Sequence, residues 1–95
     1  MDMEPTSVAE VAARLKLTRE AMGLSQVRIC KLTGISVQTW NNAETGDNML
    51  GLASALRLCR ATGVTLEWIY RGNRFQLPQV IAEEIARREP RQRRA

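Results

Sequence analysis

Five glycines cut this chain at short intervals. Gly23, Gly34, Gly46, Gly63 and Gly72 each follow a segment with helical apolar spacing, while Pro5, Pro78 and Pro90 all lie outside residues 6–74. A glycine just past a helix supplies the left-handed residue that ends it, and a proline inside would break it. No run shows the strict apolar–polar alternation of a strand. The pattern therefore predicts an all-α fold of short helices, at about 7–22, 25–33, 36–45, 52–61 and 65–71, with one more at about 78–89.

Ser25, Ser36 and Thr65 stand where helix N-caps belong, and Pro78 stands in the first turn of the sixth helix. Periodicity turns Val8, Val11, Ala12, Leu15 and Met22 inward on the first helix. On the second it selects Val27 or Ile29, with Cys30 and Thr33. On the fourth it selects Leu52, Ala55, Leu56 and Cys59. Leu66, Trp68, Ile69 and Tyr70 fill the short fifth helix. The sixth carries an apolar strip of Val80, Ile81 and Ile85, with Phe75 and Leu77 beside it. A helix this short is not stable alone in water, so the strip docks on its own chain or on a partner.

The 95 residues suit one domain, read as a body at 1–75 followed by a helix and basic tail at 76–95. At this length no separate effector domain is expected. The most apolar segment, 51–61, is too short to span a bilayer, and the acidic start MDMEPTSVAE does not resemble a secretory leader. Cys30 and Cys59 read as small buried thiols of a cytosolic protein. With no histidine and two distant thiols, no metal or cofactor is expected. Nor is catalysis, because no nucleophile and base cluster together and the adjacent Glu83 and Glu84 point in different directions. Up to Phe75 there are nine basic and seven acidic residues; beyond it there are five and three. Each part thus carries +2, a balance that admits nucleic acid without demanding it. The arginines at 87–94 read either as a solubilising end or as a source of salt-sensitive attraction.

The second and third helices are joined by Thr33-Gly34-Ile35-Ser36, a turn short enough for a helix-turn-helix. The third helix lies in GISVQTWNNAETG, which holds one formal charge, on Glu44. With Trp40 set inward, Val37, Ala43 and Glu44 fall within about 60° of it, and Gln38 and Asn42 about 160° away, at 100° per residue. Thr39, Asn41 and Thr45 complete the outer face. Gln38 and Asn42 are an i,i+4 pair of amides, suited to bidentate bonds with adenine in the major groove. Val37 and the Thr39 methyl suit thymine methyl groups. Amides are also common on any exposed helix, so this face alone leaves an ordinary solvated surface open.

Residues 14–72 resemble the Cro and lambda-repressor type of helix-turn-helix, also called the xenobiotic-response-element family. The resemblance rests on RLKLTREAMGLSQ, residues 27–34, GISVQTWNNAETG and LRLCRATGVTLEWIYRG, in order and without a gap. It implies a five-helix lambda-repressor-like domain, with the sixth helix as an addition. It implies that Val37, Gln38 and Asn42 face base edges, and that Ser36, Thr39 and Asn41 touch phosphates or flanking bases. Gln26 matches a glutamine that binds phosphate and buttresses the recognition helix, and Arg19 and Glu44 match a pair tying the first helix to the third. Arg14, Lys16, Arg28 and Lys31 are the remaining phosphate candidates.

Three positions depart from the family pattern. Trp40 stands where isoleucine or valine is usual, Ala43 where a large apolar residue is usual, and Asp47 where the loop is commonly basic. The first two exchange volume, which predicts a repacked but filled core. The third opposes phosphate.

The resemblance implies a sequence-specific regulator of transcription, expected to repress, that binds a palindromic operator on double-stranded DNA as a homodimer. Such a protein works in the cytoplasm at the nucleoid, under control by its own concentration, a competing operator or a protein partner. Phe75, Leu77, Val80, Ile81 and Ile85 are the dimerisation candidates. The alternative is a protein-interaction module on the same scaffold, an antitoxin or antiactivator, with little DNA binding of its own.

Overall fold

The computed structural model describes residue 4 and residues 6–89, and every described element is helical. The tail arginines Arg91, Arg93 and Arg94, on which both readings of the basic end rest, lie outside the described residues. The elements are α1 (Val8–Ala21), α2 (Gln26–Thr33), α3 (Val37–Glu44), α4 (Leu52–Thr62), a π-helical turn (Glu67–Arg71) and α5 (Gln79–Arg88).

Local chemistry sets most of these boundaries. The hydroxyls of Ser7, Ser25 and Ser36 accept from the amides of Glu10, Arg28 and Thr39 at 3.1–3.2 Å, so three helices begin with a side-chain cap. Gly34 ends α2 at φ +82°, and Gly63 ends α4 at φ +87°. Both are left-handed positions, and at Gly63 an added Cβ would also lie 3.0 Å from the Pro78 ring. Thr65 caps as expected, its hydroxyl accepting from the Trp68 amide at 3.0 Å. The segment it starts is wound more widely than an α-helix, which turns the consecutive Trp68 and Ile69 into the interior together. Pro78 stands one residue before α5 rather than inside its first turn.

A single core is built from Val11, Leu15, Ile29, Ile35, Trp40, Leu50, Leu58 and Ile69, joined by Ile81 and Ile85 of α5. The open choice on α2 falls to Ile29, with Val27 outside. On α4 the inward stripe is Ala55 and Leu58, not the expected Leu52 and Leu56. Leu52 is 60 % exposed and Leu56 is 42 % exposed. Apolar residues cover so much of this helix that periodicity admits either stripe; Ala55 is common to both, and Leu58 is the residue that the core takes in place of Leu52 and Leu56. Val8 lies near the surface at the start of α1, and Cys59 is half-buried rather than enclosed.

The C-terminal helix docks on α1 of its own chain. Leu77, Ile81 and Ile85 are thereby buried in the same core, which corrects their expected role in dimerisation. Val80, one position and about 100° from Ile81, is 73 % exposed, and Phe75 is 75 % exposed. This packing predicts that Ile85→Ala costs about 2–4 kcal/mol in urea unfolding, with a midpoint that does not depend on protein concentration. A cost that appears only at high concentration would place Ile85 in a dimer contact instead.

Candidate nucleic-acid interface

The turn between α2 and α3 is held by a buried side chain and several hydrogen bonds. Ile35 plugs the core, and its amide donates to the Thr33 hydroxyl at 3.2 Å. The Thr33 hydroxyl donates in turn to the Ile29 carbonyl at 2.8 Å. Ser36 then caps α3 and also donates its hydroxyl hydrogen to Thr39 Oγ1 at 2.9 Å. A buried side chain and a short chain of hydroxyl bonds thus hold the turn between the two helices.

Behind α3, Glu44 gathers three helices. Its Oε2 accepts from Arg19 Nε at 2.5 Å and from the Trp40 indole N–H at 2.6 Å. Its Oε1 accepts from Arg19 Nη2 and from the Gln26 amide, both at 3.1 Å. Arg19 spends its remaining nitrogen on the Leu24 carbonyl at 2.9 Å. The Glu44 side chain is only 5 % exposed. Burial alone would raise its pKa, but the hydrogen bonds from Arg19, Trp40 and Gln26 outweigh it and hold the carboxyl below the usual range. The hydrogen bond to Glu44 raises Arg19 in turn. The Arg19–Glu44 pair and the buttressing part of Gln26 were legible in the sequence. The indole donor was missed; its only signal was the 40–44 spacing, which brings i and i+4 side chains together.

The outer face of α3 carries Val37, Gln38, Thr39 and Asn41, all exposed. Asn42 is half-buried, and its backbone carbonyl accepts from the amides of Asp47 and Asn48 at 2.9 and 3.2 Å. The loop after α3 therefore folds back on Asn42 and sets the exposed Asp47 close to it. Trp40 and Ala43 are both enclosed in the core.

The basic residues divide. Arg28 and Lys31 are exposed on α2, flanking a shallow hollow with Leu24 and Leu32. No ion pair involves either among the described residues. Arg14 is not a phosphate candidate. It is buried, its Nε donates to the Ile69 carbonyl at 3.0 Å, and Glu10 lies 3.9 Å away. Desolvation by this burial lowers its pKa, although Glu10 opposes the shift. Lys16 is exposed but borders a different hollow, of about 480 Å³, shared with Trp68, Arg74, Arg88 and Glu89.

Among the described residues no group of three His, Cys, Asp or Glu side chains could hold a metal ion. Burial pushes both thiols up, and Cys30 points at the Ser36 carbonyl, 3.7 Å away. No described helix is long and apolar enough to cross a membrane.

A family profile described as a helix-turn-helix domain matches residues 10–69. No curated protein and no solved structure matches the chain in the corresponding comparisons.

Replacing Glu44 with Gln leaves Arg19 without its charge partner, at an expected cost of about 3 kcal/mol near pH 7. A carboxyl held low in the folded state stabilises fully above its unfolded pKa, about 4.3, and loses that contribution as pH falls through the folded value. Wild-type stability is therefore expected to drop in this acid range relative to Glu44→Gln, bringing the two urea midpoints together. Parallel curves down to about pH 3 would show that the carboxylate is not held by these bonds.

Proposed function

The chain belongs to the helix-turn-helix domain family, and from that premise we propose that it is a sequence-specific regulator of transcription that reads double-stranded DNA with α3. The observation that carries this reading is the pairing of the two sides of α3. A buried carboxylate fixes the inner side to α1 and α2, while the outer side offers uncharged hydrogen-bonding groups. A face meant only for solvent has no need of such fixing, whereas a face that reads base edges must be held still.

In this reading Val37, Gln38 and Asn42 meet base edges in the major groove. Gln38 and the exposed Asn41 reach farthest, and Asn42 works from a half-covered position. Ser36 and Thr39 flank them. Phosphates are met by Arg28 and Lys31, and by the second N–H of Gln26, whose first is taken by Glu44. Arg14 has no part in this, and Lys16 contributes only at long range. Asp47 weakens the grip of one copy, so affinity is recovered by two copies on a palindromic operator, the arrangement of a cytoplasmic repressor at the nucleoid. Of the expected dimer strip, Phe75 and Val80 are the residues still facing outward.

The same two apolar residues, with Asp47, favour a second reading as a protein-interaction module. Selection from a library of random duplexes separates the two. The DNA reading expects enrichment of one palindromic sequence, retained from about 50 to 200 mM salt. It also expects the Gln38→Ala/Asn42→Ala variant to lose about 2–6 kcal/mol per bound copy for that sequence, given about 1–3 kcal/mol per bidentate pair. Equal, salt-labile binding to every duplex, unchanged in the variant, would turn the assignment to a protein partner.

A further inference from the structure

Arg57 lies on the exposed side of α4. Its Nη1 nonetheless donates to the carbonyl of Gly34 at 2.9 Å, across 23 positions of chain. Gly34 is the left-handed residue at which α2 stops and the turn into α3 begins. A carbonyl there has no helical partner, and glycine leaves its peptide the freest to swivel. Past the far end of α3, the Tyr70 hydroxyl donates to the Leu50 carbonyl at 2.5 Å. The two chain segments that enter and leave α3 are thus each held by a side chain from a later element.

We propose that Arg57 is a positioning residue for the recognition helix: by pinning the Gly34 peptide it sets the orientation of α3 relative to α2. The proposal rests on the DNA-reading function above, and it assigns Arg57 no direct contact with DNA. Its guanidinium works through a neutral carbonyl, so what it contributes is geometry, not charge opposite phosphate. Loss of the bond leaves the core intact, because Ala55 and Leu58 hold α4 in place. It loosens the turn selectively.

The test uses the full chain with Arg57→Ala and Arg57→Lys. The first readout is amide hydrogen exchange, which needs no DNA. In Arg57→Ala the amides of Gly34 and Ile35 are expected to exchange about tenfold faster, while core amides such as that of Leu58 keep their protection. Arg57→Lys, which keeps a donor of similar reach, restores the slower rate. The second readout is affinity for the selected duplex and for a scrambled one, at about 50 and 200 mM salt. Arg57→Ala is expected to lose up to about tenfold on the selected duplex and nothing on the scrambled one, with an unchanged salt slope. Unchanged exchange at Gly34 and Ile35 overturns the proposal. So does a salt slope reduced by about 1, the mark of a lost phosphate contact. Should no duplex be selected by the wild-type chain, the DNA reading falls, and the exchange result still decides whether Arg57 holds the turn.

Discussion

Glu44 is the point on which the arrangement of the first three helices turns. A carboxylate at 5 % exposure would be several kcal/mol too costly to keep ionised if it stood alone. It is kept by a two-pronged bond from Arg19 on α1, an amide from Gln26 at the start of α2, and an indole from Trp40 one turn earlier on α3. Charge-assisted bonds of this kind are the strong ones. Each partner needs the others. Without Glu44 the indole N–H would be left buried and unsatisfied and the guanidinium would keep only its bond to the Leu24 carbonyl, whereas no buried side-chain nitrogen or oxygen among the described residues lacks a partner. Losing any member therefore costs more than one hydrogen bond, because the desolvation of its partners goes uncompensated.

The size of Trp40 makes this arrangement consistent with the core. The ring is fully enclosed at position 40, and the small Ala43 is enclosed one turn on. The indole thus fills volume and satisfies a charge with the same side chain. A similar economy appears deeper in the molecule. The Trp68 indole donates to the Thr18 hydroxyl at 2.8 Å, and that hydroxyl donates to the Arg14 carbonyl at 2.6 Å. Arg14 itself reaches the Ile69 carbonyl. The interior polar groups thereby tie α1 to the π-helical turn, leaving the outer face of α3 as the surface held from behind.

Much of this was legible in the sequence wherever a local rule applied. Ser25, Ser36 and Thr65 all accept amide hydrogens at helix starts, and the five glycines all have positive φ. The pairing of Arg19 with Glu44 followed from resemblance, and the inward position of Glu44 from the wheel. The errors arose where a choice depended on packing between distant elements. Leu56 and Leu58 are both apolar on α4, and only the packed core decides between them. Arg14 looks like any surface cation until its guanidinium is found against Ile69, 55 positions away. Ile81 and Ile85 promised an apolar strip, but a strip does not say whether its own chain will cover it. Arg57 stood out only as a charge in an apolar segment, because a bond from a side chain to a backbone carbonyl leaves no pattern of residue types.

In the proposed function α3 meets DNA as a pre-set surface, with Gln38 and Asn41 outward and Trp40 bonded to Glu44 behind. A two-dimensional proton–nitrogen NMR titration of the chain with its selected duplex tests both halves at once. The expected result is that the side-chain amide signals of Gln38, Asn41 and Asn42 shift strongly, while the Trp40 indole N–H signal hardly moves and stays protected from exchange. Shifts centred on Phe75 and Val80, or a Trp40 signal that moves and loses protection as DNA is added, would contradict it.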